Sequence, residues 1–374
     1  MPLDRFEVRV SIQKVLLGLV LVIVPLSIVG LYLTARSDHA LAESSGTHFK
    51  TWAQMYSNDI SHQISDRVAA VNLIAAEPAV VAAVKAADHG YQGGNEQAIN
   101  SKIGKVESTW GSAQSTPTVK ALLATPVSET LRHYRDMDPR LLRITLTDER
   151  GVTLAATNKP PHFAFTQDET WQTAYAGGQG SASITNILYD EPNKAYYVNI
   201  SIPVKEPGTG QVAGIASAAV DITPILASFQ QDSIGDGAQA VLVSDDGTVV
   251  SGPRMDVFAR VKSDQFGAIR DSLGNVSGRQ TGFLDADLPS GRTIIGFADT
   301  GLSKSYKNMD WTVVVSQPED KLAAPIRAVT QFALLMAILG LFMITLLVVY
   351  YALHRKQQFA DIQEVLPGST LVHP

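Results

Sequence analysis

Cysteine is absent from the 374-residue sequence, which excludes disulfides, thiolate nucleophiles and cysteine-based zinc or iron–sulfur sites together. That absence suits an oxidising compartment without establishing one. A basic excess is missing as well. The formal net charge is -6 and the pI is near 5.8, and no basic stripe interleaved with aromatics appears, so nucleic acid is excluded as a partner. The eight histidines, among them His39, His48, His62, His89, His133 and His162, never fall at metal-ligand spacing, and no metal site is expected.

Catalytic patterns are equally scarce. Ser11-Ile12-Gln13-Lys14 has the Ser-x-x-Lys spacing of acylating serine enzymes, but it lies beside an apolar run and lacks the partner motifs. Gly208-Thr209-Gly210 opens a pattern akin to a dinucleotide fingerprint, yet strand-like segments flank it on both sides, where that motif needs a strand and then a helix; it reads as a hairpin turn. The acids Asp245 and Asp246, Asp285 and Asp287, and Glu319 and Asp320 read as turns or helix starts. No enzymatic activity and no cofactor are expected.

What is present is apolar: 45% of the residues are hydrophobic and 18% charged. The composition supports a large core divided between two modules. Two uncharged runs, from Val15 to about Thr34 and from Phe332 to about Leu353, match the roughly 20 residues a helix needs to cross a bilayer. Arg5, Arg9 and Lys14 precede the first and Arg355 and Lys356 follow the second, so both termini are expected in the cytoplasm of a plasma-membrane protein, with the intervening part periplasmic or extracellular. The first run is longer than the apolar region of a cleavable signal, which favours an uncleaved anchor.

Between the runs, Phe49, Trp52, Ala53, Tyr56, Ile60, Ile64, Val68, Val71 and Ala75 recur at three- and four-residue steps, predicting a long amphipathic helix. Pro78 suits the first turn of a second helix that His89-Gly90 closes. The stretch from Tyr91 to Pro126 is read as loops with one or two short helices. LLRITLTDERGVTLAAT then predicts a hairpin, followed by a helix near Asp168–Ala176 and three strand-like runs ending at Val220-Asp221-Ile222. The plan returns about 96 residues later, with Ser244-Asp245-Asp246-Gly247 in the place of the first turn; GRTIIGFADT and DWTVVVSQP are its later strands.

These features in this order resemble the double Cache family of bacterial membrane sensors. The resemblance implies an α+β chain with a long N-terminal stalk helix and two tandem PAS-like (Cache) modules, each an antiparallel sheet with flanking helices, between two transmembrane helices. The expected divisions are a cytoplasmic N-terminus at 1–14, spans at 15–34 and 331–353, stalk helices at 35–90, a membrane-distal module at 91–230, a membrane-proximal module at 231–327 and a short cytoplasmic tail at 354–374. It also implies a small-molecule ligand in the distal module, a homodimer, and a signal passed to a separate partner or to an output domain outside this sequence.

Family members that bind amino acids look to have an Arg-x-Trp-Tyr lid, a Tyr-x-Asp and a terminal Asp. Here Trp171, Asp190 and Asp221 match the Trp and the two Asp residues, whereas Glu169 stands at the Arg, Gln172 at the Tyr and Leu188 at the second Tyr, with Tyr189 adjacent. Asp190 and Asp221 beside Trp171 suit an ammonium group, while Glu169 repels a carboxylate. The expected ligand is therefore a cationic amine, with Tyr175 and Tyr197 as further lining residues. The alternatives stay open: Asp221 as a helix cap, Asp190 as a turn residue, Trp171 as module core, and only one of Tyr196 and Tyr197 facing inward. A second class of function also fits, a scaffolding membrane protein whose ectodomain binds another protein.

Overall fold

The computed structural model describes residues 12–91, 94–111, 116–234, 237–274, 280–322, 331–332 and 334–350. The chain divides into two compact units, one of residues 1–45 with 318–374 and one of residues 46–317. In the smaller unit the apolar helical stretches are Val20–Gly30 and Leu334–Tyr350. They meet at Gly340, where an added methyl group would lie 3.0 Å from Ile23 Cγ2. Among the described residues no single helix is long and apolar enough to cross a membrane. The expected cytoplasmic tail at 354–374, and most of the segment at 1–14, lie outside the described residues.

Helix α1 (Ile12–Ala75) supplies the long face read from the sequence. Phe49, Ala53, Ile60, Ile64, Val71 and Ala75 are all buried. Helix α2 (Pro78–Tyr91) begins with its proline in the first turn, where the missing N–H has no partner to lose. The stretch read as loops with one or two short helices holds two, α3 (Glu96–Trp110), longer than expected, and α4 (Pro117–Leu123), and α5 (Pro126–Met137) follows it. Their starts are written locally: the side chains of Asn95, Thr116 and Thr125 accept from the N–H groups of Gln97, Val119 and Ser128.

The first module continues with β1 (Leu141–Asp148), β2 (Thr153–Ala156), α6 (Glu169–Tyr175), β3 (Ser183–Ile184), β4 (Leu188–Asp190), β5 (Ala195–Lys205), β6 (Val212–Asp221) and α7 (Thr223–Ala227). Its antiparallel sheet runs β2-β1-β6-β5-β3, with β4 also pairing β5. The second module has β7 (Gln239–Ser244), β8 (Val249–Ser251), α8 (Asp264–Gly274), β9 (Thr281–Leu288), β10 (Gly291–Asp299) and β11 (Trp311–Pro318), and α9 (Glu319–Leu322) follows. Its sheet runs β8-β7-β11-β10-β9. The α+β class and the tandem sheets with flanking helices are those expected.

The repeat is visible in turn chemistry. Gly151 and Gly247 hold φ of 75° and 80°, a left-handed conformation that glycine adopts without steric cost. In the first turn Asp148 Oδ1 accepts from the N–H groups of Arg150 and Val152; in the second, Asp246 Oδ1 accepts from Thr248. Within the larger unit α1 packs along both modules. Gly296 on β10 lies so close to Phe49 and Lys50 that a methyl group there would overlap the helix backbone, while Arg67 pairs with Asp138 and Arg140 Nη1 donates to Gln63 Oε1 at 3.0 Å.

Candidate functional site: a polar cavity in the first module

Strand alternation sets the floor of a cavity in the first module. Thr145 pairs with Ser217 and Ser217 with Ser201, Arg143 with Ala219 and Ala219 with Asn199, so these side chains share one face of β1, β6 and β5. The face is polar yet largely covered: Thr145, Thr147 and Ser201 are buried. Ser201 Oγ and Ser217 Oγ lie 2.8 Å apart. With Pro161, Phe165, Asp168, Thr170 and Trp171 above them, they enclose about 40 Å³.

The roof is α6 and the loop before it. Asp168 caps the helix by accepting the Trp171 N–H at 2.8 Å. Trp171 is 6% exposed; its indole Nε1 donates to Thr147 Oγ1 at 2.8 Å and its ring stacks on Tyr175 with centroids 5.0 Å apart. The chain then turns back so tightly that a methyl group at Gly180 would overlap the Ala174 carbonyl. Helix α3 fastens the loop from outside. Glu107 Oε2 accepts the N–H groups of Phe163 at 2.7 Å and Ala164 at 3.0 Å, Glu107 Oε1 meets His162 Nδ1 at 2.9 Å, and Trp110 Nε1 donates to the Pro160 carbonyl at 2.9 Å. Burial alone would raise the Glu107 carboxyl, but the His162 bond and the two backbone N–H groups outweigh it and hold the group below its ordinary value.

The second module carries an apolar face in the corresponding place. Val243 and Val241 stand where the repeat places Thr147 and Thr145, and Val314 pairs with Val241 as Ser217 pairs with Thr145. These valines pack with Ile295, Phe297, Phe266 and Ile269 into a dry core under α8.

The Cache-domain profile dCache_1 matches residues 37–326. The chain belongs to the Cache-domain family. No curated protein matches it by sequence. Similar solved structures include the sensory domain of the Campylobacter jejuni chemoreceptor Tlp3 with isoleucine bound, at 12% identity and a TM-score of 0.48, covering 76% of this chain and 97% of that one. The ligand-binding domains of two Pseudomonas aeruginosa amino acid chemoreceptors are also similar. PctB, in complex with L-Arg, has 17% identity and a TM-score of 0.43, covering 75% and 98%. PctC, in complex with GABA, has 13% identity and a TM-score of 0.43, covering 73% and 99%.

Of the residues singled out by the Cache resemblance, Trp171 lines the cavity. Tyr175 lies behind it in the stack, and Tyr197 is on the cavity face of β5, its ring 5.9 Å from the Arg143 guanidinium carbon. Asp221 sits two register pairs beyond Ala219, opposite Tyr197, and its Oδ1 accepts from Thr223 N at 2.8 Å at the start of α7. Asp190 Oδ1 accepts from Asn193 N at 3.1 Å in the β4–β5 turn. Tyr189 is 42% exposed and packs on Tyr196, on the opposite face from Tyr197. Glu169 is exposed in the first turn of α6. Arg143, Thr145, Asn199, Ser201 and Ser217 were not singled out. Their signal was a polar stripe at every second residue of β1 and β5, on strands central to a buried sheet.

Proposed function

We propose that this Cache chain is a membrane-anchored sensor that binds a small molecule in the cavity of its first module and has no catalytic step. The observation that carries the reading is the contrast between the two sheets. The first sheet keeps a covered polar face under α6 that offers a ligand hydrogen-bond partners, where the second module fills the same positions with valine. A ligand hydrogen-bonded to Thr145 and Asn199 and packed against the Trp171 ring would draw α6 and the lid loop onto the sheet. In this reading Val15–Thr34 and Phe332–Leu353 are the two spans and both termini are cytoplasmic. The side chains support it: Leu21 and Leu341 are each 70% exposed, as suits helices covered by lipid rather than protein. Binding is relayed through β11, which runs straight into α9 at Pro318–Glu319 on the way to the second span, towards a signalling partner or output domain.

The test is a thermal-shift screen of the full chain in detergent against carboxylates, amino acids, amines and nucleobases, repeated with Thr145→Val/Ser217→Val, which gives the first module the second module's face. A ligand at a hundredfold excess over Kd adds about 2.7 kcal/mol, so the expected result is a raised Tm in the wild type that the double variant loses. A folded wild type that no class shifts contradicts the proposal.

A further inference from the structure

Arg143 faces the cavity without an acid to pair with. Arg67, Arg135, Arg150, Arg254 and Arg292 each lie within an ion pair. The half-buried Arg143 has no carboxylate partner among the described residues; its guanidinium lies over Tyr197 instead. A guanidinium presents five donors in a planar fork that matches a carboxylate in bidentate fashion. On the same face, the Thr145 hydroxyl two residues along β1 and the Asn199 amide on β5, across β6, add a donor each.

We propose that the ligand is a small carboxylate whose anionic group is gripped by Arg143, an inference that rests on the first-module cavity being the ligand site. The cavity is small, about 40 Å³, which favours a short chain over a long one. Phe165, Pro161 and the Trp171 ring offer the apolar end a dry wall. Asp168 also lines the cavity, but its Oδ1 is engaged as the cap of α6. The amine expected from the sequence loses its basis here. Asp190 and Asp221 accept local backbone N–H groups, and neither lines the cavity, whereas the cation that does line it repels an ammonium group.

Isothermal titration of the full chain in detergent with acetate, propionate and pyruvate, and with putrescine as the amine arm, tests the proposal. The wild type binds at least one of the carboxylates and not putrescine. Arg143→Gln weakens that binding about ten- to a hundredfold, and Arg143→Lys, which keeps the charge but loses the fork, falls between. Asn199→Asp, nearly isosteric and anionic, weakens it about tenfold or more, which keeps the test decisive should Arg143→Gln misfold. Putrescine binding with no carboxylate binding overturns the ligand class while leaving the cavity as the site. Carboxylate affinity unchanged in Arg143→Gln and Asn199→Asp overturns the role of Arg143. No heat with any of these, together with no shift in the broader screen, sinks both the class and the site.

Discussion

Glu107 is the outside catch on the roof of the cavity, and Glu107→Ala is expected to loosen that roof without unfolding the module. Two backbone N–H groups, of Phe163 and Ala164, lose a carboxylate acceptor. Bonds to charged groups contribute about 1.5–3 kcal/mol each when buried. The Glu107 side chain is 32% exposed, so water replaces part of this, and about 1 kcal/mol per bond is the better figure. The total of about 2 kcal/mol corresponds to about thirtyfold in an opening equilibrium. Hydrogen–deuterium exchange reads that opening directly. The Phe163 and Ala164 amides should exchange about thirtyfold faster in Glu107→Ala, while Thr145 and Ser217 on the sheet keep wild-type rates. Glu107→Gln, which retains one acceptor oxygen, should show a smaller change. Because the Glu107 carboxyl sits below its ordinary value in the fold, the wild-type catch is complete above the ordinary glutamate range and is lost as the pH falls through the folded value. Unchanged exchange at Phe163 and Ala164, or acceleration spread equally over β1, β5 and β6, would refute the assignment.

Three further outcomes are expected. Gly296→Ala puts a methyl group into the backbone of α1 at Phe49 and Lys50 and should cost about 2–3 kcal/mol, read as a lower Tm. Trp171→Phe removes the donor to the buried Thr147 hydroxyl and should cost about 1–2 kcal/mol; an unchanged denaturation midpoint would contradict the bond. Asp310 is pushed up to about 6 by burial, by its hydrogen bond with Asp245 and by the Asp245 charge. A raised carboxyl makes the fold bind more protons than the unfolded chain between the two pKa values, so stability falls as the pH rises through that window. Asp310→Asn should therefore raise Tm more at pH 8 than at pH 4, and an equal gain at both would contradict this.

Local chemistry made much of the fold legible. The amphipathic stripe of α1 and the Asp-containing glycine turns of both modules are short-range patterns, and each survives in the structure. The length and place of α3 were not legible, because only Trp110 among its residues is fully buried and its place is fixed by the distant partners Pro160, Phe163 and Ala164. Strand β9 was missed because it is an edge strand with Phe283 exposed. The cavity was half legible: Trp171 was found by its lid motif, but Arg143 gains its meaning only once β1 pairs with β6, and β6 with β5, the first pairing joining residues some 70 positions apart.

The central claim, that the ligand binds at the polar face of the first module and not at the apolar face of the second, is tested most directly by hydrogen–deuterium exchange of the full chain. It is measured with and without the compound that raises Tm most. Slowed exchange in residues 141–148, 158–171 and 195–205, with residues 239–251 and 291–299 unchanged, is the predicted result. Protection confined to the second module, or absent from both, would contradict the account.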